Sequence, residues 1–320
     1  MDKMNQKKWV GRTTLVTAFS TVILLAAGAL VTGTGSGLAV PDWPLSFGQF
    51  FPPMVGGVFY EHGHRLIAGF VALLTVVQLL VILRFEDRLW VKKLGFLAVA
   101  LVLTQATLGG LTVLFLLPKA VSIAHACLAQ TYFCNAIILM TVTSPGWKNS
   151  FHCESDGSWF PVRVLGLLVV FGFFIQLLFG ATMRHFGAGL AIPDFPLSFG
   201  HWVPPQWTFP IAIHFAHRFG AFVMVAAVAA LVARVYRLYW NQFTLLLYAG
   251  ALMGFVWVQV MLGAMVIWLR RPISLTTIHL VVGALCLASS VALTLQLFKA
   301  HKESSEKSEA GLSEAEAVPV

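Results

Sequence analysis

Residues 36–53, SGLAVPDWPLSFGQFFPP, return at 188–205 as AGLAIPDFPLSFGHWVPP, with twelve of eighteen positions identical at a constant offset of 152. Further along, His64-Arg65 is answered by His217-Arg218 at offset 153. QATLGG (105–110) is answered by QVMLGA (259–264), and His125 by His279, both at offset 154. A drift of two residues over so long a stretch marks a duplicated unit.

The sequence around these landmarks belongs to a membrane. Of 320 residues, 58% are hydrophobic and 11% charged, and the mean hydropathy is +0.82. A soluble domain is about a quarter charged. Eight apolar runs have helical length, near 12–32, 60–83, 93–116, 121–143, 161–182, 211–234, 243–268 and 273–298; a span needs ~20 residues. Lipid offers the backbone no partner, so spans are helices or closed barrels, and runs this continuously apolar exclude alternating barrel strands. The expectation is an all-α integral membrane protein of eight helices, four per repeat. Four is even, so both halves enter with the same orientation, as a parallel repeat about a pseudo-twofold along the membrane normal. The divisions fall at 1–11 (N-terminal segment), 12–143 (first four-helix bundle), 144–160 (linker), 161–298 (second bundle) and 299–320, a polar tail expected to be disordered.

With the N-terminus inside, cytoplasmic segments hold fifteen Lys and Arg and outer loops hold four. This positive-inside bias predicts a multi-pass protein of the cell membrane with both termini cytoplasmic. The net charge of +8 then reports topology, and nucleic acid is excluded as a partner while membrane lipid is implied. The first apolar run has the basic start of a signal peptide, but its counterpart at 161–182 lies in mid-chain, so it reads as a retained span. Cys127, Cys134, Cys153 and Cys286 avoid the outer loops, so no extracytoplasmic disulfide is expected.

Four histidines occupy matched places inside helices: His64, His125, His217 and His279. Ionisable groups within spans are costly and face an interior or a cavity. All four lie at similar depth in the outer half, so within each bundle one histidine on the second helix faces one on the fourth. Bundle cores take cofactor ligands from facing helices, and axial imidazole is a common heme ligand; zinc would need further carboxylate or thiolate ligands. Arg65 and Arg218 each follow a histidine, placed either to pair with a heme propionate or to snorkel toward headgroups. Asp42 and Asp194 read as caps of an interfacial turn. The halves differ at Glu61, which aligns with His214, while His62 aligns with Phe215. A carboxylate on the His64 face of its helix suggests acid–base chemistry in the first half only; the alternative is an i,i+4 pair with Arg65.

Glu-x-x-His-Arg at 61–65, the two PLSFG loops, the Gln-x-x-Leu-Gly helices and the four paired histidines resemble heme A synthase over residues 11–298. The resemblance implies oxidation of the C8 methyl of heme O to a formyl group by two hydroxylations and loss of water, with heme B as cofactor and the product serving terminal oxidases. By position, His64 and His125 would flank the heme O substrate with Glu61 as the catalytic carboxylate, and His217 and His279 would be the axial ligands of heme B. Heme O synthase, terminal oxidase assembly factors and an electron donor, unidentified by the sequence, are the implied partners, and self-association is compatible with the pattern. Many members of that family carry a cysteine pair in the first outer loop, and residues 33–60 contain none. Two other classes carry the same ligands: a diheme cytochrome b passing electrons from quinol, and a heme transporter or chaperone.

Overall fold

The computed structural model describes residues 3–148, 151 and 156–316. Among the described residues, eight helices are long and apolar enough to cross a membrane. They are α1 (Lys3–Gly33), α2 (Gly57–Phe85), α3 (Leu89–Leu114), α4 (Lys119–Thr143), α5 (Val162–His185), α6 (Phe209–Leu238), α7 (Phe243–Trp268) and α8 (Ile273–Glu316). Their outward faces keep large apolar side chains exposed, among them Phe70, Leu73 and Leu80 on α2 and Phe219, Phe222 and Val223 on α6. In lipid such faces need no cover.

Neighbours come in matched sets. In the first half α1 packs on α2 and α4, and α3 on α2 and α4; in the second α5 packs on α6 and α8, and α7 on α6 and α8. The halves meet along α1, α4, α5 and α8. α8 is the most enclosed span, with 61% of its apolar window buried against 17% for α5. Near the C-terminal ends of α1 and α5, Arg184 of α5 donates to the carbonyl of Ala29 on α1 at 2.7 Å. On the inner side, Asp156 accepts from Val162 N–H at 2.6 Å and pairs with Arg234 of α6 at 3.3 Å.

One expectation is corrected. The stretch from Lys299 continues α8 to Glu316 where its polar composition suggested a disordered tail. Lys299 and Glu303 form an i,i+4 pair at 3.6 Å, and Glu303 also accepts from the backbone N–H of Phe151 at 2.7 Å. Strong helix formers such as Lys, Glu and Ala carry the helix past the apolar part. His152 and Cys153 lie outside the described residues.

Candidate functional site

Each of the four histidines sits against a glycine of the preceding helix. A methyl group added at Gly28 (α1) would lie 3.1 Å from Cε1 of His64 on α2, and one at Gly180 (α5) would lie 3.2 Å from Cε1 of His217 on α6. Gly109 (α3) meets His125 on α4, and Gly263 (α7) meets His279 on α8, both at 3.2 Å. The missing side chain lets the imidazole lie flat on the neighbouring backbone. Four residues before three of these glycines stands a glutamine. Gln105 Nε2 lies 3.2 Å from His125 Nε2 and donates to the His125 carbonyl at 3.1 Å. Gln259 Nε2 lies 3.3 Å from His279 Nε2. Gln176 Nε2 lies 3.1 Å from His217 Nδ1 and donates to its carbonyl at 2.7 Å. The fourth place in this pattern is Leu24, so His64 has no such glutamine. The Gln-x-x-Leu-Gly segments were visible in the sequence without a role; their i, i+4 spacing puts both ends on one helix face. Gln176 and Gly180 were missed because Phe179 replaces the Leu that made the motif recognisable.

Within each half the rings come together: His64 lies within electrostatic reach of His125, and His279 of His217. Nδ1 of His64, of His125 and of His279 is buried with no hydrogen-bond partner. An orphaned ring nitrogen in a lipid-embedded core is costly unless something binds it. Among the described residues no three His, Cys, Asp or Glu side chains converge on one point. Two imidazoles per half suit a porphyrin iron, which brings four of its own ligands, better than a bare tetrahedral ion. The residues present therefore fit heme.

The outer loops are clamped by the arginines expected to meet propionates. Arg65 donates from Nη1 to the carbonyls of Asp42 and Leu45 at 2.7 and 2.9 Å, and from Nη2 to Glu61 at 2.6 Å and the Val40 carbonyl at 3.3 Å. Arg218 donates to the carbonyls of Leu197 and Ile192 at 3.0 and 2.9 Å and from Nε to His214 at 3.1 Å. These bonds have a plain cause: a loop packed into the membrane interface exposes carbonyls that need donors, and the five-donor fork of arginine supplies them. Glu61 is engaged likewise. One oxygen takes the Arg65 bond and the other accepts from Val40 N–H at 2.8 Å, so the i,i+4 pair exists, with both side chains largely buried. In the second half His214 takes the place of Glu61, with Nδ1 3.2 Å from Ile192 N–H and Nε2 facing Arg218; an imidazole has one acceptor nitrogen, so it accepts only one of the two bonds that the carboxylate takes. His62 is buried, with Nδ1 2.8 Å from Ser46 Oγ.

The turn beyond the clamp is also duplicated. Asp42 accepts from Phe47 and Gly48 N–H at 2.7 and 2.8 Å, and Asp194 from Phe199 and Gly200 at 2.8 Å each. These bonds hold Phe47 (φ 55°) and Phe199 (φ 57°) in the left-handed region that side chains avoid. The Gly48 and Phe47 amides, with Arg65 nearby, keep the Asp42 carboxyl below its ordinary range. This is the turn-capping role read from the sequence. Trp43 from the same loop lies over Gly110 of α3, where a methyl would come within 2.7 Å of the indole.

The class this fold and site define is a helical membrane protein whose two halves each bring buried imidazoles beneath a clamped loop, an arrangement suited to heme. The chain belongs to the cytochrome oxidase assembly protein family, which it matches over residues 56–291. It is 32% identical over 261 residues to a heme A synthase from Symbiobacterium thermophilum, covering 78% of this chain and 81% of the relative. A heme A synthase from Halalkalibacterium halodurans is 30% identical over 68% of this chain and 73% of its own length. One from Bacillus cereus is 29% identical over 85% and 87% respectively.

Proposed function

We propose that this protein converts heme O to heme A, oxidising the C8 methyl to a formyl group by successive hydroxylations, in the cell membrane with both termini in the cytoplasm. The observation that carries the reading is the duplicated histidine pair with unequal surroundings. His217 and His279 would hold a resident heme B, for each is braced by a glutamine as well as a glycine. His64 and His125 would flank the heme O being processed, and His64 lacks that brace, as suits a group that must arrive and leave. When bound, heme supplies the redox-active iron and, as heme O, the methyl to be oxidised. The chain's own contribution is orientation and protection. Gly28 and Gly109 fix how far each imidazole can swing. The Arg65 clamp keeps the outer loop down over the bundle mouth, limiting water.

Glu61 gives the first half a carboxylate where the second has an imidazole. In this reading it takes up a proton as the methyl is oxidised while staying in hydrogen-bond contact with Val40 N–H. The substrate would come from heme O synthase and the product pass to terminal oxidase assembly. Co-expression with a heme O synthase, followed by extraction and chromatography of the hemes, tests the proposal. A formyl heme is expected; recovery of heme O alone, with the protein stably produced, would overturn it.

A further inference from the structure

Below the His64–His125 pair, the cytoplasmic half of the first bundle is lined with buried polar side chains that the mechanism has not used. Thr14, Thr17 and Thr21 lie on one face of α1, Thr75 and Gln78 on α2, and Tyr132 on α4; all six are 3% exposed or less. The Tyr132 hydroxyl meets Thr75 Oγ1 at 2.5 Å and also bonds Thr21. Thr14 Oγ1 lies 2.8 Å from Thr143 Oγ1. Thr143 lines a recess at the cytoplasmic end, together with Val10, Glu86, Arg88 and Ser144. The recess has an ionised mouth. Burial alone would raise the pKa of Glu86, but its bonds from Arg88 and from the Arg88 and Asp87 amides hold it below the ordinary value.

The column points at the histidines by register. Tyr132 follows His125 by seven residues and Thr21 precedes Gly28 by seven, two turns in each case, or about 10 Å. Thr75 follows His64 by eleven, three turns on the same face, or about 16 Å. The duplicated half supplies the control. At the matched positions Thr14, Thr17 and Thr21 become Gly166, Val169 and Phe173, Thr75 and Gln78 become Val228 and Leu231, and Tyr132 becomes Cys286. In the second half Ser290, Thr294 and Gln296 are buried on α8; Thr294 Oγ1 fills the space beside Gly166, the counterpart of Thr14, and neither it nor Gln296 Oε1 has a protein partner, so the contrast between the halves lies at the counterparts of Thr17, Thr21, Thr75, Gln78 and Tyr132. Simple interhelical hydrogen bonding would serve both halves equally. It also leaves Gln78 unexplained, because both its Nε2 and its Oε1 are buried with no protein partner. Asn135 Oδ1, one turn below Tyr132, is in the same state. Unpaired amides in a membrane interior are the sites that internal water occupies.

We infer that the first bundle carries a hydrated proton path from the cytoplasmic recess through Thr14, Thr17, Thr21, Tyr132, Thr75 and Gln78 to the His64–His125 site. The inference rests on the reading of that site as the place where a methyl is oxidised. Each hydroxylation, R–H + O2 + 2 e− + 2 H+ → R–OH + H2O with dioxygen as oxidant and electrons from an external donor, takes up two protons, so two hydroxylations followed by loss of water need four protons delivered to the site, and the clamped loop closes the outer side. The second bundle, which would keep its heme unchanged, needs no such path and has none at these positions.

Radiolytic hydroxyl-radical footprinting of the detergent-solubilised, heme-loaded full-length protein tests for the water. Tyr132 should be oxidised well above Tyr239, which is equally buried at 2%; labelling of Tyr132 no greater than Tyr239 would overturn the path. Gln78→Leu and Thr21→Val, which install residues of the second half's character, should lower Tyr132 labelling. They should also slow heme A formation roughly tenfold, within the range of lost proton transfer, with the heme B spectrum unchanged. Thr21→Ser, which keeps the hydroxyl, should restore both readouts. Wild-type turnover in Gln78→Leu and Thr21→Val together would overturn the role even if water is present. If the wild type itself forms no formyl heme, the enzyme reading fails separately, and the footprint decides whether the path exists.

Discussion

In the first half the loop clamp runs through Glu61 and in the second through His214, and the same two donors meet each: an N–H from Val40 or Ile192, and a guanidinium from Arg65 or Arg218; the carboxylate accepts both bonds, the imidazole only one. The duplicated scaffold therefore tolerates either an acid or an imidazole at this point, and the architecture alone does not demand a carboxylate. What separates the halves is chemistry laid on a shared skeleton. The first has Glu61, an unbraced His64 and a polar interior. The second has His214, a braced His217 and an apolar interior at the same places.

The largest effect expected is on the ligands. His217→Leu or His279→Leu should abolish the low-spin heme B spectrum of the purified protein, whereas His64→Leu or His125→Leu should keep that spectrum and abolish heme A formation. The reverse assignment would exchange the two halves. Next, removing Arg65 by Arg65→Ala strands a buried carboxylate and three loop carbonyls, and should cost about 3 kcal/mol of stability, read as a lowered thermal midpoint. Arg218→Ala, whose side-chain partner is an imidazole and not a carboxylate, should cost less, and equal losses would remove that contrast.

A sharper cut is Glu61→His, which copies the second half and keeps an acceptor for Val40 N–H. Formation of heme A should fall about 100-fold, the scale of a lost acid–base group, while the loop stays closed to proteolysis. Full activity in this variant would reduce Glu61 to a clamp. Gln176→Leu should then loosen heme B retention by roughly tenfold, in the lower range for a lost support of a metal-bound histidine, measured as heme transfer to an apo-acceptor.

The smallest effect concerns pH. The carboxyl of Asp42 titrates below its ordinary value of 3.8, so its contribution to the turn is complete above that value and is lost as pH falls through the lowered one. Asp194 behaves alike, its amide bonds outweighing the rise that burial causes. Amide exchange at Phe47, Gly48, Phe199 and Gly200 should speed up together on acidification, and a response in one loop alone would break the equivalence.

Much of this was legible in the chain. Apolar runs of helical length gave the spans to within a few residues at most ends, since lipid leaves the backbone no other option. The repeat located the histidines and the Asp42 and Asp194 turns, because tight turns depend on short-range chemistry. The clamp was only half legible. Nothing in His-Arg says whether the guanidinium turns to a cofactor or to loop carbonyls more than twenty residues away in sequence. The glycine seats were also hidden, because contact between Gly28 and His64 depends on how close α1 approaches α2. The helical continuation to Glu316 was missed because low hydrophobicity says a segment will not pack, not that it will not coil.

The bond from Arg184 to the carbonyl of Ala29 has a mechanical consequence. Ala29 is the next residue after Gly28, the platform on which the His64 ring lies, and Arg184 is one turn beyond Gly180, the platform for His217. The two rests are thus yoked by a single strut. On the proposed function, widening the leading compartment to admit or discharge a guest would pull on α5 and so load the platform beneath His217.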